Sequence, residues 1–176
     1  MLIQPLPNTL DVRKAAARGV KLSGSVKTTD LKRLSDLLVG DEGSIQVELS
    51  LSKDEENRSL IHVIVAAQLT VTCQRCLAGL TLNLSTDNTL AVVWSDEQAG
   101  QLPRTLDALV CADEACKLWE LVEEELMLSL PAFNYHETKA CKETLIGYTP
   151  TVLAEGEGDK PNPFNVLAQL KPSKKH

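Results

Sequence analysis

The feature that most constrains the fold is a period-two alternation of apolar and polar residues between positions 44 and 94. The stretch SIQVELSL places Ile45, Val47, Leu49 and Leu51 on one face, and the polar sequence KDEENR follows as a turn. The next stretch, SLIHVIVAAQLTVT, is apolar on both faces, which is typical of a central strand. Further alternation in LTLNLST and TLAVVWS predicts an antiparallel β meander.

Helical patterns flank this meander. The first is predicted near residues 10–18 and ends at Gly19; the second spans 29–39 and ends at Gly40. Between them KLSGSVK alternates like a strand, and residues 95–115 form a polar loop. A third helix is predicted over 116–130, before Pro131, with its apolar positions toward the sheet. Four acidic residues of that helix are expected to face mostly outward: Glu120, Glu123, Glu124 and Glu125.

These patterns predict a single α+β domain over residues 1–153, an antiparallel meander flanked by helices. Residues 154–176 are predicted as a flexible linker followed by a short helix, because AEGEGDKPNP is linker-like and NPFNVLAQLK has an Asn cap and an apolar face. Whether this helix docks on the domain or binds a partner stays open at this point. No stretch is long and apolar enough for a membrane span, and the N-terminus lacks signal-peptide features. We therefore expect a cytoplasmic protein.

Charge is distributed unevenly along the chain. The net charge is −6, yet the first 40 residues hold seven basic and only three acidic residues. A basic region of this kind is a candidate for contact with RNA phosphates. The alternative is that these charges form solvated helix faces. The RNA-binding hypothesis names five residues: Arg13, Lys14, Arg18, Lys32 and Arg33.

Five cysteines, an odd number, argue against a disulfide framework in a reducing compartment. Cys73 and Cys76 form a CxxC pair between predicted strands, whereas redox pairs normally begin a helix. A zinc knuckle suits this position better, and it needs two further ligands. Either His136 with Cys141 or Cys111 with Cys116 can supply them. The remaining alternative is that the pair are hairpin thiols without a metal.

Four features taken together resemble the YceD family, the large ribosomal RNA subunit accumulation proteins. They are the CQRCL stretch, the acidic helix and proline of LVEEELMLSLP, the His and Cys soon after it, and the ending KPNPFNVLAQLK. The resemblance runs almost from end to end. It implies zinc as cofactor, with Cys73, Cys76, His136 and Cys141 as ligands. Many members have a second cysteine pair at the place where this sequence has His136 and Cys141. The resemblance also implies that Cys111 and Cys116 are incidental.

The function that the resemblance implies is that of a non-catalytic ribosome biogenesis factor. Such a factor would support synthesis, processing or accumulation of large-subunit ribosomal RNA by binding that RNA, a ribosomal protein or both. No catalytic residues, small-molecule substrate or membrane partner are implied. Aromatic residues make up only 3% of the chain, which argues against a base-stacking platform. The alternative function is a metal- or thiol-dependent enzyme acting on RNA.

Overall fold

A computed structural model describes residues 4–111, 113 and 115–143, and its centre is a five-stranded sheet. The sheet has the order β2-β3-β4-β5-β6. Neighbours from β2 to β5 pair antiparallel, and β6 runs parallel to β5. The predicted α+β fold with an antiparallel meander is confirmed. The strands span Lys21–Val26 (β2), Leu38–Lys53 (β3), Ser59–Thr72 (β4), Gly79–Val93 (β5) and Asp107–Val110 (β6).

The alternation seen in the sequence sets the register of this sheet. Val47 pairs with Val65 and Leu49 pairs with Val63, so apolar residues meet on one face, and all four side chains are buried. A slip of one residue would turn this entire row toward solvent, which is why the register is strongly specified. The β3–β4 turn is closed by the Asp54 carboxylate, which accepts hydrogen bonds from the backbone N–H groups of Glu56 and Arg58.

Two helices cover the buried face of the sheet. Helix α1 packs against β3 and β4, and helix α4 packs against β4 and β5. Each fully buried Leu, Val or Ile side chain stabilises the fold by about 1.5–3 kcal/mol relative to its exposed state. The helices span Val12–Ala17 (α1), Lys32–Ser35 (α2), Asp96–Ala99 (α3), Leu118–Ser129 (α4) and Lys139–Glu143 (α5), and two short strands, Thr9–Asp11 (β1) and Ala115–Lys117 (β7), pair with each other.

Two predicted segments differ from the structure. The helix expected over 29–39 is a 3₁₀ turn at Thr28–Asp30 and the short helix α2, and β3 begins at Leu38 rather than at residue 44. Leu37 is exposed, because the chain has already left the helix there. The polar loop expected over 95–115 contains α3, β6 and the start of β7. Pairing with the edge of β5 stabilises β6, and a four-residue pattern gives no signal of that long-range contact.

The expectation that the α4 glutamates face outward is wrong for two of the four. Glu123 and Glu125 are each 6% exposed. Glu123 lies under α2, where its carboxylate accepts hydrogen bonds from α2 backbone N–H groups, and Glu125 accepts a hydrogen bond from the Asn88 side chain of β5. The reason is geometric: α4 is covered by the sheet on one side and by α2 on another, so part of its polar flank is also buried.

Cys111 and Cys116 are joined by a disulfide, with their Cα atoms 5.4 Å apart. This corrects the expectation that the cysteines form no disulfides and that this pair is incidental. The chain reverses between β6 and β7, which brings two residues five positions apart into bonding distance. The predicted boundary at residue 153 and the predicted linker and short C-terminal helix, residues 154–176, lie outside the described residues, so the domain prediction stays a prediction. Among the described helices, none has the length and apolar character of a membrane span.

Candidate metal centre

The first half of the site is the tight turn between β4 and β5. The Cys73 N–H donates to the Ala78 carbonyl at 2.9 Å, and the Leu77 N–H donates to the Cys73 carbonyl at 2.9 Å. Leu77 has φ +61°, a left-handed conformation that costs free energy for a residue with a branched side chain. This turn is a knuckle in which Cys73 is buried and Cys76 is half-buried.

The second half comes from the chain after α4. Leu130 is extended, as expected before Pro131, and the chain then crosses the β4–β5 turn. The Gln74 N–H donates to the Asn134 carbonyl at 2.8 Å, which ties this crossing segment to the knuckle. Two residues later stands His136, and Cys141 follows in α5. The hairpin turn and the post-helix segment therefore meet, although more than 50 residues separate them in sequence.

The four predicted metal ligands come together in the structure. One ligand atom from each of Cys73, Cys76, His136 and Cys141 lies within 4.8 Å of the others. Cys73 Sγ and Cys141 Sγ are 3.7 Å apart, and Cys76 Sγ and His136 Nδ1 are 3.3 Å apart. In a tetrahedral zinc site, bond lengths of about 2.3 Å to sulfur and about 2.0 Å to nitrogen give edges of about 3.8 Å and about 3.6 Å. These two distances are close to the corresponding edges, and the types and number of donors are those of structural zinc sites, so the donor set fits zinc.

The hydrogen bond made by His136 selects the ring nitrogen that a metal requires. His136 Nε2 lies 3.0 Å from the Gly79 carbonyl oxygen, which only accepts hydrogen bonds. Nε2 must therefore carry the proton, and in the neutral ring Nδ1 has its lone pair directed toward the cysteines. An imidazole held in this way by a second hydrogen bond is typical of metal-ligating histidines.

The surroundings of the two buried thiols shift their pKa values in opposite directions. Burial opposes ionisation of Cys73, but backbone N–H donors of Cys76, Arg75 and His136 outweigh it and lower the pKa of that thiol to about 5. Burial raises the pKa of the Cys141 thiol, and the neighbouring Cys76 and Cys73 sulfurs raise it further. Arg75 lies 3.9 Å from Cys141 Sγ, and a divalent cation would offset the remaining repulsion between thiolates.

Sequence reasoning named the four candidate ligands that the structure brings together, but it missed the groups that support them. Arg75, the Gly79 carbonyl and the Asn134 carbonyl hold the site from outside the ligand set. Backbone carbonyls have no sequence signal, and Arg75 is recognised only once the knuckle is folded. The alternative ligand pair, Cys111 and Cys116, is used in its own disulfide.

The five basic residues proposed to contact RNA divide between two helices. Arg13, Lys14 and Arg18 lie on the exposed side of α1, opposite the buried Val12, Ala15 and Ala16. The Arg13 guanidinium lies 4.3 Å from the centroid of the Trp94 ring, and Lys14 pairs with Asp11 at 2.7 Å. On α2, Lys32 is exposed, whereas Arg33 pairs with the buried Glu123 at 2.8 Å. The charge of Arg33 is thus already compensated within the fold.

Comparison with known proteins identifies a family and a named relative. Residues 61–171 match the family described as "Large ribosomal RNA subunit accumulation protein YceD", a range that includes all four candidate metal ligands. A Haemophilus influenzae (strain Rd) protein of that same name is 32% identical over 171 residues, which cover 94% of this chain and 96% of the relative. No solved structure matches the chain significantly.

Proposed function

The chain belongs to the YceD family, the large ribosomal RNA subunit accumulation proteins, and from this membership we propose that it is a non-catalytic ribosome biogenesis factor. It supports synthesis, processing or accumulation of large-subunit ribosomal RNA by binding that RNA, a ribosomal protein or both. Its proposed place of action is the cytoplasm. The observation that carries this proposal is the similarity to the named relative over 94% of the chain.

The metal centre supports a structural rather than a catalytic use of the thiols. Four protein ligands close the coordination of zinc, whereas a catalytic zinc keeps one position for water or substrate. Zinc held by Cys73, Cys76, His136 and Cys141 would supply a cross-link between the β4–β5 turn and the segment after α4. The alternative function, a metal- or thiol-dependent enzyme acting on RNA, gains no support from this closed donor set.

The proposed RNA-contacting surface is the exposed side of α1, and Lys32 on α2 is proposed as a separate contact. The exposed side of α1 presents Arg13, Lys14 and Arg18 together, as phosphate contacts require. The body of the protein is acidic, so RNA contact is expected to be confined to these basic positions. Arg33 belongs to the predicted set, but its pairing with Glu123 makes it the weakest of the five candidates.

The first experiment is affinity purification of the intact protein, with sequencing of co-purifying RNA and mass spectrometry of co-purifying proteins. We expect precursor large-subunit RNA, a ribosomal protein or both. Recovery of neither would refute the proposed function.

A second experiment tests the RNA surface directly. In the variant Arg13→Gln, Lys14→Gln, Arg18→Gln, binding to large-subunit RNA should weaken, and the dependence of log K on log salt should flatten by about one unit per lost phosphate contact. The control Arg104→Gln, Lys139→Gln, Lys142→Gln removes the same charge from exposed positions away from α1. Equal losses in the two variants would mean that net charge, and not the α1 surface, governs binding.

A protein partner predicts a different result. Basic ribosomal proteins would be attracted to the exposed acidic side of α4, where the Glu124 side chain is 62% exposed and Glu120 is 60% exposed. The variant Glu120→Gln, Glu124→Gln should then slow association, while the α1 variant has little effect. Glu123 is excluded from this variant because it is buried and serves the fold.

A further inference from the structure

Exposed apolar side chains lie on the segments that form and border the metal centre. Of the seven large hydrophobic residues that are exposed in the described part of the chain, Leu77 belongs to the knuckle, and Phe133 and Tyr135 belong to the segment that crosses it. Leu77 and Phe133 are 76% and 71% exposed. We call this surface the apolar end, and its exposed members are Leu37, which lines the same groove as Gln74 of the knuckle, together with Leu77, Phe133 and Tyr135. A concentration of this kind marks an interaction site rather than an ordinary surface.

A groove of about 500 Å³ runs through the apolar end. Its apolar walls include Leu37 before β3, Val71 at the end of β4, and Met127 and Leu130 at the end of α4. This volume lies within the range of about 300–1,000 Å³ that is usual for ligand sites in proteins. Gln74 lines the groove as well, next to the ligand Cys73, so the groove borders the metal centre.

The chain itself supplies a segment that fits this surface. Cys141 is buried in the metal centre, and the description of the chain ends two residues later, with 33 residues still to follow. Within those residues stands the apolar sequence PFNVLAQL at 163–170, in the stretch that the sequence predicts as a short helix. About 20 residues connect it to Glu143, and a flexible chain of that length would have a root-mean-square span of about 25 Å, which would allow the segment to reach the groove.

We propose that residues 162–170 pack their apolar side chains into the groove of the apolar end. The tether favours this occupant over a separate molecule, because short flexible linkers give effective concentrations of about a millimolar. Charge favours it as well, since Lys160 and Lys171 flank the segment, while Asp36 lines the groove and the chain as a whole is acidic. The segment thereby covers side chains that would otherwise face water beside the metal centre.

The test compares amide hydrogen exchange in the full-length chain and in the variant Phe164→Ser, Leu167→Ser. Exchange in residues 33–40 and 125–137, which carry the groove walls, should become about tenfold faster in the variant. The tenfold difference in exchange rate is expected if the untethered segment binds the groove with a dissociation constant about tenfold below the effective concentration that the tether provides. The matched control Val152→Ser, Leu153→Ser removes two apolar residues from the same C-terminal stretch and should exchange like the unmodified chain.

A second arm adds a synthetic peptide of residues 159–176 to the Phe164→Ser, Leu167→Ser variant. The peptide should restore slow exchange. When Phe133→Ser is added to the same variant, the peptide should restore it less. Unchanged exchange in the first arm, or no rescue in the second, would overturn the proposal. So would protection that rises with protein concentration together with a dimer in light scattering, because the occupant would then be a second copy of the chain.

Discussion

The Glu123→Ala substitution tests how α4 holds the start of α2 in place. Glu123 of α4 accepts hydrogen bonds from the backbone N–H groups of Arg33 at 2.7 Å and Leu34 at 3.2 Å, and from Arg33 Nε at 2.8 Å. These N–H groups belong to the first turn of α2, which makes Glu123 a cap supplied from a distant helix. We expect its removal to be strongly destabilising.

The magnitude follows from the two backbone groups. Alanine would leave both N–H groups without a partner in a region that is buried at Leu34 and partly buried at Arg33. An unsatisfied buried donor costs about 1–3 kcal/mol, so we expect a loss of about 3 kcal/mol in the free energy of unfolding. For a chain of this size that loss corresponds to a fall of about 6–12 °C in the melting temperature.

Urea unfolding followed by circular dichroism measures this loss. Glu124→Ala, one residue away with a side chain that is 62% exposed, is the matched control and should change the unfolding free energy by less than about 0.5 kcal/mol. Glu123→Gln keeps an acceptor for the N–H groups but not the charge, so its effect should lie between the two. Equal stability of Glu123→Ala and Glu124→Ala would refute the capping role.

The same group predicts a pH dependence with a definite sign. Burial raises the pKa of Glu123, but the hydrogen bonds from Arg33 and Leu34 outweigh burial, and the net pKa is lowered below its ordinary value of 4.5. A carboxyl with a lowered pKa in the folded state contributes stability that is fully present above pH 4.5 and is lost as the pH falls through the folded value. The stability gap between the unmodified chain and Glu123→Gln should therefore narrow below about pH 4.5. A gap that stays constant down to pH 3 would contradict this.

Three further predictions concern the metal, the disulfide and the core. Protein purified without chelator should contain about one zinc per chain, and removing the metal should lower the melting temperature because metal binding contributes to folding. The variant Cys76→Ser should lose the metal, whereas the double variant Cys111→Ser, Cys116→Ser should keep it. Thiol titration of the unfolded, metal-free chain should find three free thiols after purification in air and five after treatment with a reductant, and five in both cases would contradict the Cys111–Cys116 bond. Leu126→Ala should lower the free energy of unfolding by about 2–5 kcal/mol, because Leu126 is fully buried. The control Leu128→Ala, two positions further along α4 at a residue that is 78% exposed, should lower it little. Similar losses in the two variants would mean that α4 does not pack as described.

Much of the fold and half of the site were determined by local sequence patterns. Alternation over residues 44–94 allows one face of each strand to be buried, and only one register satisfies all the strands together, so the meander could be predicted. The same pattern placed Cys73 and Cys76 in a turn between two strands, where both thiols are directed to one side. A helix ending before Pro131 was likewise readable, because the residue before a proline disfavours the helical conformation.

For the second half of the site, the residue pattern alone left two candidate ligand pairs open and the family resemblance implied His136 with Cys141, but only the tertiary structure shows which pair lies at the knuckle. His136 and Cys141 reach the knuckle because the segment after α4 crosses it and is tied down at Asn134, whereas Cys111 and Cys116 meet each other across a reversal of the chain. No local sequence feature distinguishes the buried Glu123 from the exposed Glu124 beside it. Its role depends on α2 packing over α4, and contacts between segments some 90 residues apart leave no periodicity to read.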